Sequence, residues 1–395
     1  MDFRFNPQEE QWRKEVRDFF EREVTSELLE QLEAKGEEHS PELYQKLTQK
    51  GWLGLSWPKE YGGKGCGIIE MCIFYEEMSR AQAPIQDVYR HSIAYFGSEL
   101  IALGTEEQQK HFLPRLARGE ITCCRGFTGP EAGSDLANVQ LRAVEDGDYY
   151  RLNGEKTFML AHYTDHIVAL TRTDPNAIPK HRGLTMFIVD LESPGVKMRP
   201  MWTLGGHKRS QVFFDDVMVP KGNLLGKLNR GFYQAMEDLN QERSGAFQIV
   251  LLEKYFHNLI QFVKKSRRNG QPLGQIPETR QRLADLTTGI QVAWLISRYT
   301  LWRQSQGMST DKEAAMTKLY VSELSQRLAR VAMDTIGPLS LLEYSGQSKE
   351  WTPLMGQFPW LYRNCSMETI GGGTSEIQRH VIAMRGLQLP RTKGM

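Results

Sequence analysis

The sequence predicts an α+β protein in three parts, helical at both ends and β in the middle. Two changes in hydrophobic spacing, with a matching change in turn chemistry, carry that reading. Up to about residue 118 the apolar residues recur at helical intervals. From 119 to 226 they fall into short runs separated by Asn-Gly, Pro-Gly and Gly-Gly pairs, as strands do. From 227 to 395 long helical periods return, so domains are expected at 1–118, 119–226 and 227–395. A chain of 395 residues exceeds one ordinary core, which agrees with several domains.

Taken in order, "PQEEQWRKEVRDFFEREV" places Trp12, Val16, Phe19 and Phe20 on one helical face. "GWLGLSWPKEYGGKGCG" interrupts with glycine and proline and reads as a loop. "IIEMCIFYEEMSRA" resumes the period, and Thr105 before Glu106 and Glu107 starts another helix. The runs "YYRLNGEKTFML", "HIVALTRT", "GLTMFIVDL", "GVKMRPMW" and "SQVFFDDVMV" are the expected strands. "PETRQRLADLTTGIQVAWLISRYTLWRQ" and "DKEAAMTKLYVSELSQRLARVAMDTI" are the long helices that follow. Last comes "IGGGTSEIQRHVIAMRGL", residues 370–387, where three glycines meet a helix with an apolar stripe at Ile377, Ile382 and Met384. Glycine costs order there. Either the chain turns tightly, or a ligand approaches the free N–H groups of a helix N-terminus.

Composition narrows the function. A formal net charge of +1 removes the electrostatic case for nucleic acid or an anionic membrane. The apolar fraction of 40% and charged fraction of 25% describe a globular protein, and no run has transmembrane length. The start MDFRFNPQEE is unlike a signal peptide, and five irregularly spaced cysteines fit a reducing, cytoplasmic setting. Cys123 and Cys124 read as core or strand residues. Nine histidines are present, and no metal is expected.

Two short stretches carry chemistry. "PEAGSD", Pro130–Asp135, joins the helical part to the strands and lets a polar ligand approach backbone N–H groups, or is an ordinary turn. In "LNQERSG", Glu242 stands beside Arg243; a desolvated carboxylate can abstract a proton, although most such residues are surface charges. A Walker loop and a G-x-S-x-G elbow are absent, and "GGGTSE" follows no βαβ unit.

Together "LGTEEQQKHFLPRLARGE", "PEAGSD", "NGEK", "VFFDDVMVP", "NLLG" and "GGTSEIQR" occur in the order seen in the acyl-CoA dehydrogenase family, which the chain resembles over nearly its whole length. The resemblance implies a helical N-terminal domain, a central β-barrel-like domain and a C-terminal four-helix bundle. It also implies FAD held between subunits, an acyl-CoA substrate oxidised at its α and β carbons, and an electron-transferring flavoprotein as acceptor. Many members carry a catalytic Glu in a Tyr-Glu-Gly-Thr turn, where this chain has Gly371-Gly372-Gly373-Thr374. Other branches carry the base before an Arg on the helix after the β domain, which matches Glu242-Arg243. The resemblance thus implies Glu242 as base and the Gly372 N–H as a donor to the thioester carbonyl. It places FAD against Phe127, Thr128, Phe158, Leu160, Arg267, Thr374 and Glu376, and the CoA thioester against Ser134, Arg243 and Gly371.

Several positions depart from the family. Gly129 replaces Glu in Thr-Glu-Pro, and Phe158-Met159-Leu160 stands where Trp-Ile-Thr or Trp-Thr-Ser covers the flavin. Leu160 cannot donate the hydroxyl hydrogen bond of that Thr or Ser. Ser266-Arg267-Arg268-Asn269-Gly270 replaces Arg-x-x-Phe-Gly, with Arg267 one position away from the family's Arg. Asp334-Thr335-Ile336-Gly337-Pro338 replaces Gln-x-x-Gly-Gly, and Asp334 would repel a pyrophosphate unless compensated. Losses at both flavin contacts resemble the branch of steroid side-chain dehydrogenases, in which unlike subunits share fewer flavins than chains. Three readings follow: a catalytic FAD-dependent dehydrogenase of a bulky or branched acyl-CoA, a flavin-poor partner of a paralogous subunit, or a flavin monooxygenase on the same fold.

Overall fold

The computed structural model describes residues 4–241, 245–342 and 352–390. The first helix, α1 (Pro7–Glu23), is started by Asn6, whose side chain accepts from the N–H groups of Gln8 and Glu9 while Glu9 reaches back. Val16, Phe19 and Phe20 are buried, as the spacing predicts; Trp12 is half-buried and donates its indole N–H to Glu70 O at 3.0 Å. Next come α2 (Ser26–Lys35), α3 (Pro41–Gln49) and α4 (Ile68–Arg80), and α4 packs on α1. Arg13 and Arg17 seal that contact against the buried carboxylates of Glu76 and Glu77, at 2.7 to 2.9 Å. A short α5 (Gln86–Tyr89) runs into a π-helical stretch, Arg90–Gly97, then α6 (Ser98–Leu103) and α7 (Glu106–Ala117). Thr105 and Gln108 form the reciprocal cap that starts α7.

The β part comprises β1 (Cys123–Gly126), β2 (Arg142–Asp146), β3 (Tyr149–Met159), β4 (His166–Arg172), β5 (Leu184–Asp190), β6 (Val196–Trp202), β7 (Lys208–Pro220) and β8 (Leu224–Leu225). They form one eight-stranded sheet in the order β6-β7-β3-β2-β4-β5-β8, with β1 parallel to β4. Cys123 and Cys124 are buried on β1, as read from the sequence. Pro194-Gly195 and Gly205-Gly206 do fall between strands, but Asn153-Gly154 does not. That pair lies inside β3, at a shift in its register with β7, with Gly154 at φ 136. The extra residue at that shift is on β7; Gly154 itself takes a φ that side chains disfavour, and a Cβ there would come 3.0 Å from Leu141 Cα.

The last part begins with α8 (Gly231–Gln241) and α9 (Ala246–Lys265), then a small hairpin of β9 (Arg267–Arg268) and β10 (Gln271–Pro272). The long α10 (Pro277–Ser305) and α11 (Asp311–Ile336) follow, with α12 (Gln357–Glu368) and α13 (Ser375–Val381) closing the chain. α9, α10, α11 and α12 pack as a bundle around Ile249, Leu259, Leu286, Val321, Leu328 and Phe358. A separate core runs continuously through the N-terminal helices and the sheet, and α4 carries the bundle by packing on α9. No described helix is long and apolar enough to cross a membrane.

Candidate active site

The glycine turn closes α12 and opens α13. Gly372 and Gly373 have φ of 68 and 91, a left-handed path that side chains disfavour. The turn's carbonyls face inward: Gln378 Nε2 donates to Gly372 O at 3.1 Å and Gly373 O at 3.3 Å, and Lys318 Nζ also donates to Gly373 O. The N–H groups of Gly372 and Gly373 donate no hydrogen bond among the described residues. A Cβ at Gly372 would meet nothing within 4 Å. The turn therefore presents two free donors beside open space.

The same anchoring sets the buried face of α13. Its buried residues are Ser375 and Gln378, whereas Ile377 is 37% exposed. Gln378 points inward to hold the turn, while Ile382 and Met384, past the end of α13, are half-buried. Beyond Val381 the helix continues as a π stretch, Ile382–Gly386, which breaks the period the expected apolar stripe assumed. Thr374 is the N-cap, accepting from Ile377 N at 3.2 Å. Glu376 is exposed, and its own backbone N–H and then Thr374 hold its carboxyl below the usual range.

Glu368, the last residue of α12, is pushed up to about 7 by burial, against the pull of Ser325 and Lys318. A carboxyl raised on folding contributes its stability fully below its unfolded pKa, about 4.3. That contribution is lost as pH rises through 7. Raising the pH from about 5 to about 8 should therefore lower the melting temperature of the wild type more than that of Glu368→Gln. Parallel melting curves that keep a constant offset across this range would remove Glu368 as the cause.

A second group of residues gathers where β1 ends. Phe127 is buried, Thr128 half-buried, and both lean on β3. Thr157 N donates to Thr128 O at 3.1 Å, and Lys156 Nζ donates to Phe127 O at 2.9 Å. The Thr128 N–H has no hydrogen-bond partner among the described residues. The Thr157 hydroxyl is buried and likewise lacks one. A register shift between Lys156 and Met159 turns Phe158 outward at φ 63, leaving it 60% exposed, while Leu160 is buried in the core. Behind β1, Arg125 N donates to His91 Nδ1 at 3.2 Å, and Arg125 Nε to Glu99 at 3.2 Å. Burial pushes His91 down to about 3, so it stays a neutral acceptor.

The remaining predicted positions are dispersed. Ser134 and Gly371 are exposed, and "PEAGSD" is a turn in which Gly129 and Ala132 exchange backbone bonds of 3.2 Å. Arg267 donates to Gly270 O within its own hairpin at 3.0 Å. Arg268 reaches the last carbonyls of α11, at 2.8 Å from Thr335 O. Asp334 does have a compensating charge, Arg282, at 2.9 Å. Glu242 and Arg243 lie outside the described residues.

Sequence reasoning missed Lys156, which is 0% exposed. Burial pushes its ammonium down to about 7, while Glu131 pulls it upward. A signal existed. Tyr150, Leu152 and Lys156 share the even phase of β3, and the first two are plainly inward-facing residues.

Comparison with known proteins identifies the whole. The acyl-CoA dehydrogenase N-terminal domain matches residues 6–120, the middle domain 124–217 and the C-terminal domain 229–387. The chain belongs to the acyl-CoA dehydrogenase family. Acyl-CoA dehydrogenase FadE26 of Mycobacterium tuberculosis is 32% identical, over 99% of this chain and 99% of that one. The solved ChsE4-ChsE5 complex from Mycobacterium tuberculosis is similar at a TM-score of 0.89 and 31% identity, covering 99% of this chain and 100% of that one. The Tcur3481-Tcur3483 steroid ACAD follows at 0.88 and 29%, with 99% and 100% covered. Acyl-CoA dehydrogenases are FAD-dependent flavoproteins, and the chain is an oxidoreductase of the class acting on CH–CH groups.

The residues at hand fit the flavin ring better than its remote end. An acyl-CoA dehydrogenase needs donors and a flat apolar cover for the ring; the Thr128 N–H and the outward Phe158 would suit that need, whereas the Thr157 hydroxyl is buried. The cations that could meet a neighbour's FAD are engaged within the chain, Arg267 and Arg268 by carbonyls and Arg282 by Asp334.

Proposed function

We propose that the chain is an FAD-dependent acyl-CoA dehydrogenase subunit that oxidises a bulky or branched acyl thioester, with Glu242 as base. The glycine turn carries this reading, because it offers free N–H groups where no carboxylate stands. Glu242 takes the α-proton. The Gly372 N–H donates to the thioester carbonyl and stabilises the negative charge that develops on it. A bound FAD would supply the two-electron acceptor for the β-hydrogen, which leaves as hydride. Phe127, Thr128, Phe158 and Leu160 line or support the flavin, with Arg267, Thr374 and Glu376 further along it. Ser134, Arg243 and Gly371 serve the CoA portion. The domains divide at 118/119 and 226/227, and an electron-transferring flavoprotein takes the electrons.

Substrate size follows from the turn. Replacing Tyr-Glu by Gly371-Gly372 removes two large side chains. A Cβ at Gly371 would meet only Met367, at 3.2 Å from its Sδ, and one at Gly372 would meet nothing within 4 Å. Ring-bearing or branched acyl-CoAs should therefore turn over faster than short straight ones. The check is a panel of CoA thioesters assayed by flavin reduction. Fastest turnover of butyryl-CoA would reject the size argument.

A second reading has its own support. With Arg267, Arg268 and Arg282 engaged internally, this chain offers little to a flavin in a neighbour's groove. It is then one half of a heteromeric enzyme, completed by a paralogous subunit.

A further inference from the structure

Nothing in the proposed reaction uses Lys156, yet its place is costly. A fully buried lysine gives up the solvation of its ammonium, and a leucine or methionine would fill the same volume more cheaply. Its one recorded hydrogen bond is to Phe127 O, at 2.9 Å. That carbonyl belongs to the peptide unit that also carries the Thr128 N–H. The peptide is trans, so its C=O and N–H point in opposite directions. Holding the carbonyl inward therefore turns the Thr128 N–H away from the core. The adjacent carbonyl, Thr128 O, is held by Thr157 N. Two consecutive residues of β3 thus clamp two consecutive carbonyls, and the next residue, Phe158, swings outward.

We propose that Lys156 is a positioning residue for the flavin ring: it fixes and polarises the Phe127–Thr128 peptide so that the Thr128 N–H donates to the bound isoalloxazine. This rests on the reading of the chain as an FAD-binding subunit. When Lys156 is protonated, its bond to the carbonyl is charge-assisted, stronger than the one its neutral amine makes. Withdrawing electron density at the carbonyl strengthens the N–H of the same peptide as a donor. A methionine would fill the volume but leave the carbonyl buried without a donor and the peptide free to turn.

The test uses Lys156→Met and Lys156→Arg in the full chain, with its partner subunit present where the wild type needs one to hold FAD. FAD affinity, the visible absorption envelope of the bound flavin and the melting temperature of the flavin-free protein are measured for each. Lys156→Met should bind FAD about ten- to a hundredfold more weakly and shift the flavin bands, with a flavin-free melting temperature close to wild type. Lys156→Arg, which keeps a cation, should recover most of the affinity. Wild-type affinity and spectrum in Lys156→Met would overturn the inference. So would an affinity loss no larger than the loss of flavin-free stability, or failure of both variants to fold, since Lys156 would then be purely structural. A wild type that holds no FAD in any assembly would instead overturn the flavin reading itself, and this inference with it.

Discussion

Glu242→Gln should leave the fold and the flavin content as they are while slowing reduction of the flavin by substrate about 10²- to 10⁴-fold or more. The α-proton of a thioester is weakly acidic, so its removal needs a carboxylate close to the α-carbon. The turn that carries this carboxylate in many acyl-CoA dehydrogenases is Gly371-Gly372-Gly373 here, and its carbonyls face inward on Gln378 and Lys318. No side chain there can act as base. Glu242, followed by Arg243, matches the alternative position on the helix after the β domain. Gln keeps the size and hydrogen bonding of Glu but not its basicity, so binding and chemistry separate. Single-turnover reduction of the flavin by a good substrate is the measurement. An unchanged rate in Glu242→Gln removes this residue from the mechanism.

How far the sequence alone reaches is visible at particular residues. The N-terminal helices were legible because their signals are local: the apolar face of α1 and the Thr105 cap both depend on residues within one or two turns. The three-part order was legible for the same reason. The place of Asn153-Gly154 inside a strand was not, because an Asn-Gly pair has the same composition in a tight turn and in a strand; what decides is the pairing with β7 and the contact with Leu141, both remote in sequence. Nor was the orientation of α13. Gln378 is buried there and Ile377 is not, a requirement set by the carbonyls of the preceding turn. The π stretch Arg90–Gly97 reads as ordinary helix by period alone. At the candidate site, the glycine turn is marked by its own three residues before a helix and takes its role from the resemblance, the Thr128 segment rests on the resemblance, and Lys156 lies unmarked inside the NGEK motif. Strand phase would have marked it, since a charged residue at an inward position must be there for a partner.

Expressed alone, the chain should hold little FAD, and with a paralogous partner it should form a heteromer, a heterotetramer on the family's pattern, carrying fewer flavins than chains. In the family each FAD lies in one subunit's groove while a neighbour's Arg, aromatic and Gln hold its remote portion. A homodimer of this chain would offer Ser266, Asn269 and Asp334 at those places. Arg267 is next to the missing Arg, but it donates to the Gly270 carbonyl of its own hairpin. Arg268 is occupied with the end of α11, where a helix's last carbonyls need donors. Arg282 does answer the charge of Asp334, at 2.9 Å, but both side chains are largely solvent-exposed, where such a pair contributes about 0–1 kcal/mol. That pair removes the repulsion without supplying a donor to the cofactor. Hydrogen bonds to charged groups contribute about 1.5–3 kcal/mol each, so losing two weakens FAD binding by about 10²- to 10⁴-fold. With the Thr128 N–H facing the ring as proposed, a partner with an intact Arg-x-x-Phe and Gln-x-x-Gly-Gly would complete the groove of this chain. The partner's own groove would stay incomplete, because this chain has nothing to return. Flavin per chain and oligomeric mass, measured for the chain alone and for the co-expressed pair, test both halves of the statement. A stable homotetramer with one tight FAD per chain would defeat it, and would show that Arg267 or Arg282 leaves its present partner to hold the cofactor.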